Sequence, residues 1–185
     1  MRSLPRPRDV DDPVGSRVHE LASHLGVPGT VDACVALLRG ADRADHVDVL
    51  RYLAGRSFGP GDEPPDAASW KDYWLRTWGA RGLLHVWDDS ATDAVLDGLR
   101  DEHWRPAEMC LKVATLREVG GAGDGAMALS RHELTRVRAQ ALRTLGEVGD
   151  TEHVEAVRDR LDDESADVRR QAARALDRLV DRLDL

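Results

Sequence analysis

Four segments of the chain overlay at a spacing of 31 residues. With Leu75, Pro106, Val137 and Val168 as the first position, the fourth residue on is Gly79, Cys110, Ala141 or Ala172, always small. Two residues later comes a cation each time: Arg81, Lys112, Arg143 and Arg174. Gly82, Val113, Thr144 and Ala175 follow, then Leu83, Ala114, Leu145 and Leu176. Self-similarity at this period is the signature of stacked helical hairpins, each too small to bury its own apolar face alone. On a helix of 3.6 residues per turn, positions 0, 4, 7, 8 and 11 fall within one narrow arc, so that arc is the expected buried face. The small residue at position 4 lets a neighbouring helix come close. The cation at position 6 lies about 140° from the centre of the arc and is expected in solvent.

Composition agrees with such an architecture. Hydrophobic residues make up 42% of the 185, but aromatic residues only 4%. The core must therefore be aliphatic and rich in small side chains, which suits helix-on-helix packing better than a β-sandwich. The fold class expected is all-α, a right-handed α-α superhelix of about five hairpins plus an N-terminal helix. Helices are read at about 13–25, 31–38, 46–54, 67–74, 75–87, 91–100, 105–119, 124–131, 135–148, 151–162 and 166–183. Residues 1–12, with Pro5, Pro7 and interleaved arginines, read as a disordered tail before a single repeat domain over 13–185. The repeat is clearest over 75–185. Residues 55–66, dense in glycine and proline, read as one long loop. Ser90 and Asp150 are expected to open helices as caps, and Gly120-Gly121 and Gly149 to end them.

The matching stretches 135–150 and 163–179 resemble HEAT-like repeats of the phycocyanobilin-lyase type. An aspartate in the turn and a Val-Arg pair opening the second helix recur in such repeats, and Val137-Arg138 and Val168-Arg169 fit. Pro106-Ala107 and Leu75-Arg76 depart from the pattern. The likeness is good over 90–185 and weaker over 30–89. The tryptophan-rich stretch 73–89 is also similar to short HEAT-repeat proteins of high-GC bacteria. The resemblance implies a solenoid whose second helices line a concave face. It implies no chromophore-lyase activity.

The net charge is −8, which disfavours non-specific binding to a nucleic acid. Arginine supplies 24 of the 26 basic residues, a bias that a GC-rich genome explains. Cys34 and Cys110 sit in apolar helical runs and form no disulfide framework, which fits a reducing cytoplasm. The opening residues lack the apolar core of a secretory signal, and no run approaches a membrane span. A cytoplasmic protein is expected.

Two constellations stand out. The ladder Arg81, Lys112, Arg143 and Arg174 would set cations in a row at helix-packing distance, roughly 8–10 Å apart, fit to clamp an acidic peptide of a partner protein or a phosphate chain. A solvated face with local ion pairs is the plainer reading. The second constellation is aromatic. Trp70, Tyr73, Trp74, Trp78, Trp87 and Trp104 are six of eight aromatics, within 35 residues. They read as an anchoring core or as an aromatic platform, with Trp78 at the edge of the buried arc joining the cations as an interface anchor. A search for catalytic and metal motifs assigns no residue and no cofactor. His19 and His24 are five apart, on different faces of a helix. The function expected is a non-catalytic interaction module. The alternatives are an enzyme like the HEAT-like alkylpurine DNA glycosylases, using Trp74, Trp78, Trp87 and Asp88 or Asp89, and a small-molecule site at the tryptophans.

Overall fold

The computed structural model describes residues 4–58 and 70–185. Every regular element among them is helical, and they fall into two units, Met1–Ala94 and Val95–Leu185, where the sequence suggested one domain.

In the N-terminal unit α1 (Val14–Leu38) merges the first two expected helices across a kink. The kink is Gly26, at φ 74° and ψ 165°, a conformation that glycine reaches without a Cβ clash. Pro28 then sits in the first turn of the second arm, where a missing N–H matters least. Contrary to the sequence expectation, α1 is long and apolar enough by length and composition to cross a membrane. Its Val18, Leu21, Val31, Cys34 and Leu37 are wholly buried within the unit, and Gly26 breaks it midway.

α2 (Val47–Ala54) and α3 (Asp72–Leu83) pack against α1. The break expected at 74/75 is absent: α3 is continuous, and its hairpin partner is α1 rather than a short preceding helix. The close approach is made at Gly79, where a Cβ would come within 2.5 Å of the Cys34 carbonyl oxygen and 2.7 Å of the Leu38 nitrogen. Residues 55–58 of the expected loop form a 3₁₀ turn that buries Phe58. The rest of that loop, 59–66, and residues 67–69 of the expected helix lie outside the described residues.

Residues 4–12 are not the free tail that their composition suggested. Leu4 N–H donates to Asp48 Oδ2 at 2.9 Å, and the Tyr52 hydroxyl donates to the Pro5 carbonyl at 2.9 Å. The Arg56 guanidinium grips both carboxylate oxygens of Asp11 at 2.5 Å. These partners lie more than 40 residues away in sequence, beyond any local signal.

The C-terminal unit is the regular one. Its first helices are α4 (Thr92–Gly98), which begins at the end of the preceding unit, α6 (Gly123–Leu129) and α8 (Val154–Arg158). The second helices, α5 (Trp104–Arg117), α7 (Thr135–Val148) and α9 (Ala166–Leu183), are longer. Starts within each set step by 31 residues. α7 packs on both α5 and α9, so the second helices stand side by side in chain order. The buried arc forms as its spacing dictates: Val137, Ala141, Thr144, Leu145, Val168, Ala172 and Leu179 are inaccessible.

The turns repeat too. The Asp101 carboxylate, the His132 ring and the Asp163 carboxylate each accept the backbone N–H two residues on, at 2.8, 3.0 and 3.0 Å. Asp150 caps as expected and completes a capping box with His153. Ser90 does not cap; Asp88 does, by accepting the Ser90 N–H at 3.0 Å. α5 ends on Glu118 in the left-handed region (φ 51°), ahead of the two glycines expected to stop it.

Candidate binding cleft in the C-terminal unit

The three cations that the period places on α5, α7 and α9 differ in what holds them. Lys112 is tied to Glu108 one turn back, Nζ to carboxylate 3.0 Å, and Arg136 binds the same carboxylate at 2.9 Å. Its charge is already answered. Arg143 and Arg174 are exposed, and neither has an ion partner or a hydrogen bond among the described residues.

Both open on one cavity of about 190 Å³, lined also by Thr115, Gly146, Gln171 and Arg178. Gly146 lets α9 come close, since a Cβ there would lie 3.1 Å from the Ala175 Cα. Beside the cleft runs a polar seam between α5 and α7. The Thr144 hydroxyl lies 3.1 Å from the Leu111 carbonyl oxygen and 2.9 Å from the Thr115 hydroxyl, and Gln140 Nε2 donates to Thr115 at 3.3 Å. Arg178 is bridged to Glu147. The cleft thus offers two uncompensated guanidinium groups one repeat apart, flanked by amide and hydroxyl groups. That chemistry suits carboxylates, which a guanidinium fork engages through two parallel N–H donors.

Gln171, Thr115 and Arg178 were not read from the sequence as site residues.

Arg81 belongs to the N-terminal unit and is half-buried. Trp78, expected beside the cations as an interface anchor, is buried there, with its ring 4.4 Å from Trp70 and stacked on Trp74 at 5.9 Å. Phe58 meets Trp70 edge-on at 5.5 Å, and Tyr73 lies against Trp74 at 5.4 Å. These rings form an aromatic core segment, with Trp74 and Tyr73 half-exposed at its rim. Trp70 precedes the helix, and its contact with Trp78 is made across the turn into α3.

Trp87 donates its indole N–H to Asp89 at 3.1 Å, and Asp88 serves as a cap, which engages both carboxylates named for the glycosylase reading. Trp104 lies in the other unit, where Arg105 and Arg136 sit over its ring at 4.4 and 5.0 Å. The six aromatics are therefore divided between the two units. Among the described residues, no group of three or more histidine, cysteine, aspartate or glutamate side chains can hold a metal ion.

No curated protein matches the chain. Residues 126–184, which hold most of α6 and all of α7, α8 and α9, match the family of HEAT repeats, so these hairpins are HEAT-like in sequence as well as in fold.

Proposed function

We propose that the chain is a non-catalytic protein-interaction module that holds an acidic segment of a partner along its second helices, between Arg143 and Arg174. The observation that carries this reading is the unpaired state of those two arginines on one cleft, against the neutralised Lys112 beside them. HEAT repeats commonly serve as interaction scaffolds, which supports the reading, and the second helices are taken as the binding side. The phycocyanobilin-lyase type of repeat is supported by the two Val-Arg pairs and brings no lyase chemistry with it. Buried, unpaired Cys34 and Cys110 suit a reducing cytoplasm as the working compartment.

The test is fluorescence anisotropy with a labelled hexaglutamate peptide. Saturable binding that weakens with salt is expected, and Arg143→Glu with Arg174→Glu should reduce affinity at least tenfold while the circular dichroism spectrum and melting temperature hold. Binding unaffected by the double reversal, or no binding by the parent protein, removes the cleft from the function.

A further inference from the structure

Past the kink at Gly26, α1 puts two faces to different use. Val31, Cys34, Leu37 and Leu38 are buried within the N-terminal unit. Gly29, Asp32, Ala33 and Ala36, at helical spacing on another face, line a cavity of about 540 Å³. Glycine and alanine are too short to fill it. The other wall comes from the 3₁₀ turn at Arg43–His46 and the start of α2, which bring Asp45, Val47 and Val49 to the cavity. Leu4 and Leu25 add to the apolar lining. Leu4 is held there by its N–H bond to Asp48 Oδ2, and Leu25 is 36% exposed.

A mostly apolar hollow of this size lies in the range that takes a small organic molecule, about 300–1,000 Å³. Its charges narrow the choice. No lysine or arginine is among the described residues that line it. Asp48 is already answered, by the Arg51 guanidinium and the Leu4 N–H. Asp32 and Asp45 are not. Both are exposed, and neither carboxylate has an ion pair or a hydrogen bond among the described residues. The groove thus joins an apolar floor to two uncompensated carboxylates, which repel an anion and attract a cation.

We propose that this groove binds a small apolar amine, an ammonium group carried on an aliphatic or aromatic tail. The tail takes the place of water against Ala33, Ala36, Val47 and Val49. The ammonium lies at the rim, where Asp32 and Asp45 answer its charge. Both halves are needed, because an exposed ion pair alone contributes little and a neutral tail leaves the carboxylates unmatched. The site shares no residue with the cleft of α7 and α9, and it stands whether or not that cleft holds an acidic segment.

The experiment titrates the full chain by calorimetry at constant ionic strength with three probes. Hexylammonium carries tail and charge, 1-hexanol the tail alone and ethylammonium the charge with almost no tail. Hexylammonium should bind one saturable site and raise the melting temperature, and the other two should bind at least tenfold more weakly. Asp32→Asn with Asp45→Asn should weaken hexylammonium at least tenfold. Asp177→Asn with Asp181→Asn removes the same charge from exposed positions of α9 and should leave its binding unchanged. Ala33→Leu fills the floor and should also weaken binding, with the circular dichroism spectrum unchanged. The proposal is overturned if hexylammonium does not saturate, if ethylammonium or 1-hexanol binds as well, or if the Asp32 and Asp45 changes have no more effect than those on α9. It is also overturned if sedimentation shows a dimer that Ala33→Leu abolishes, since a second copy of the chain would then cover the groove.

Discussion

Arg138 of α7 reaches into the turn of the following hairpin and donates from Nη2 to Asp163 Oδ1 at 2.9 Å, with both residues less than a tenth exposed. The same guanidinium donates from Nη1 to the His132 and Glu133 carbonyls at 3.0 and 2.9 Å. One repeat later Arg169 donates to the Asp163 and Glu164 carbonyls at 2.7 and 3.1 Å. The arginine of the Val-Arg pair is therefore a tie to its own turn, and in Arg138 also a staple to the next. Asp163→Ala removes the staple and leaves a buried guanidinium short of its anion. The cost should exceed that of an exposed pair, about 0–1 kcal/mol. It should fall short of the 3–5 kcal/mol of a wholly enclosed one, because Glu164 stays beside Arg138 at 3.1 Å and is largely exposed. A loss of about 2 kcal/mol in urea unfolding is expected, and Glu164→Ala should lose less than half of that.

The same pair sets a pH dependence. Burial pushes the Asp163 carboxyl up, but the Arg138 guanidinium and the Ser165 N–H outweigh it and hold the group below its ordinary range. A carboxylate with a lowered folded pKa leaves the unfolded chain binding more protons, so stability rises with pH across that window. The contribution is whole above the unfolded value of about 3.9 and is lost as pH falls through the folded value. Melting temperatures measured from pH 6 down to pH 2 should show this loss at the acid end. Asp163→Asn should flatten that part of the curve and lower the plateau.

The C-terminal unit was legible because its information is periodic. Small residues at Ala141 and Ala172 and aliphatics at Val137 and Val168 each serve a local helical arc, so spacing alone reports burial. The N-terminal unit hides what it does in long-range pairings. Nothing near Pro5 announces that Tyr52 will bond its carbonyl. The grouping of Trp70 with Trp78 was visible, but not that Trp70 would stand ahead of α3 and meet Trp78 across the turn. The cation ladder was half visible. Position 6 marks exposure, but whether a cation is free depends on its acids, and Glu108 neutralises Lys112 where no carboxylate bridges Arg143.

Gly79 and Gly120 make a matched test of the small-residue positions. A methyl at Gly79 would press on two backbone atoms, the Cys34 oxygen and the Leu38 nitrogen, which cannot rotate away. Nothing lies within 4 Å of a Cβ at Gly120. Gly79→Ala should therefore cost about 1–3 kcal/mol by forcing α1 and α3 apart, despite the better helix propensity of alanine. Gly120→Ala should change stability by less than about 0.5 kcal/mol. Equal urea midpoints for the two variants would show that α1 and α3 are not in close contact at that crossing.

Cys34 and Cys110 are fully buried, and burial raises both thiols, Cys34 to about 12 by itself and Cys110 in the same direction with help from Asp101. The thiolate is the reactive form, so at pH 8 almost no Cys34 is ionised, and the thiol is also sealed from solvent. Cys34 also packs where Gly82 leaves room for its Sγ, which ties its exposure to separation of α1 from α3. Ellman's reagent should find no reactive thiol in the native protein and two after unfolding in guanidinium. In Gly79→Ala, Cys34 should react ahead of Cys110, because the strain falls on the contact that covers it. Equal rates for the two thiols in that variant would mean that the protein opens as one unit rather than first between those helices.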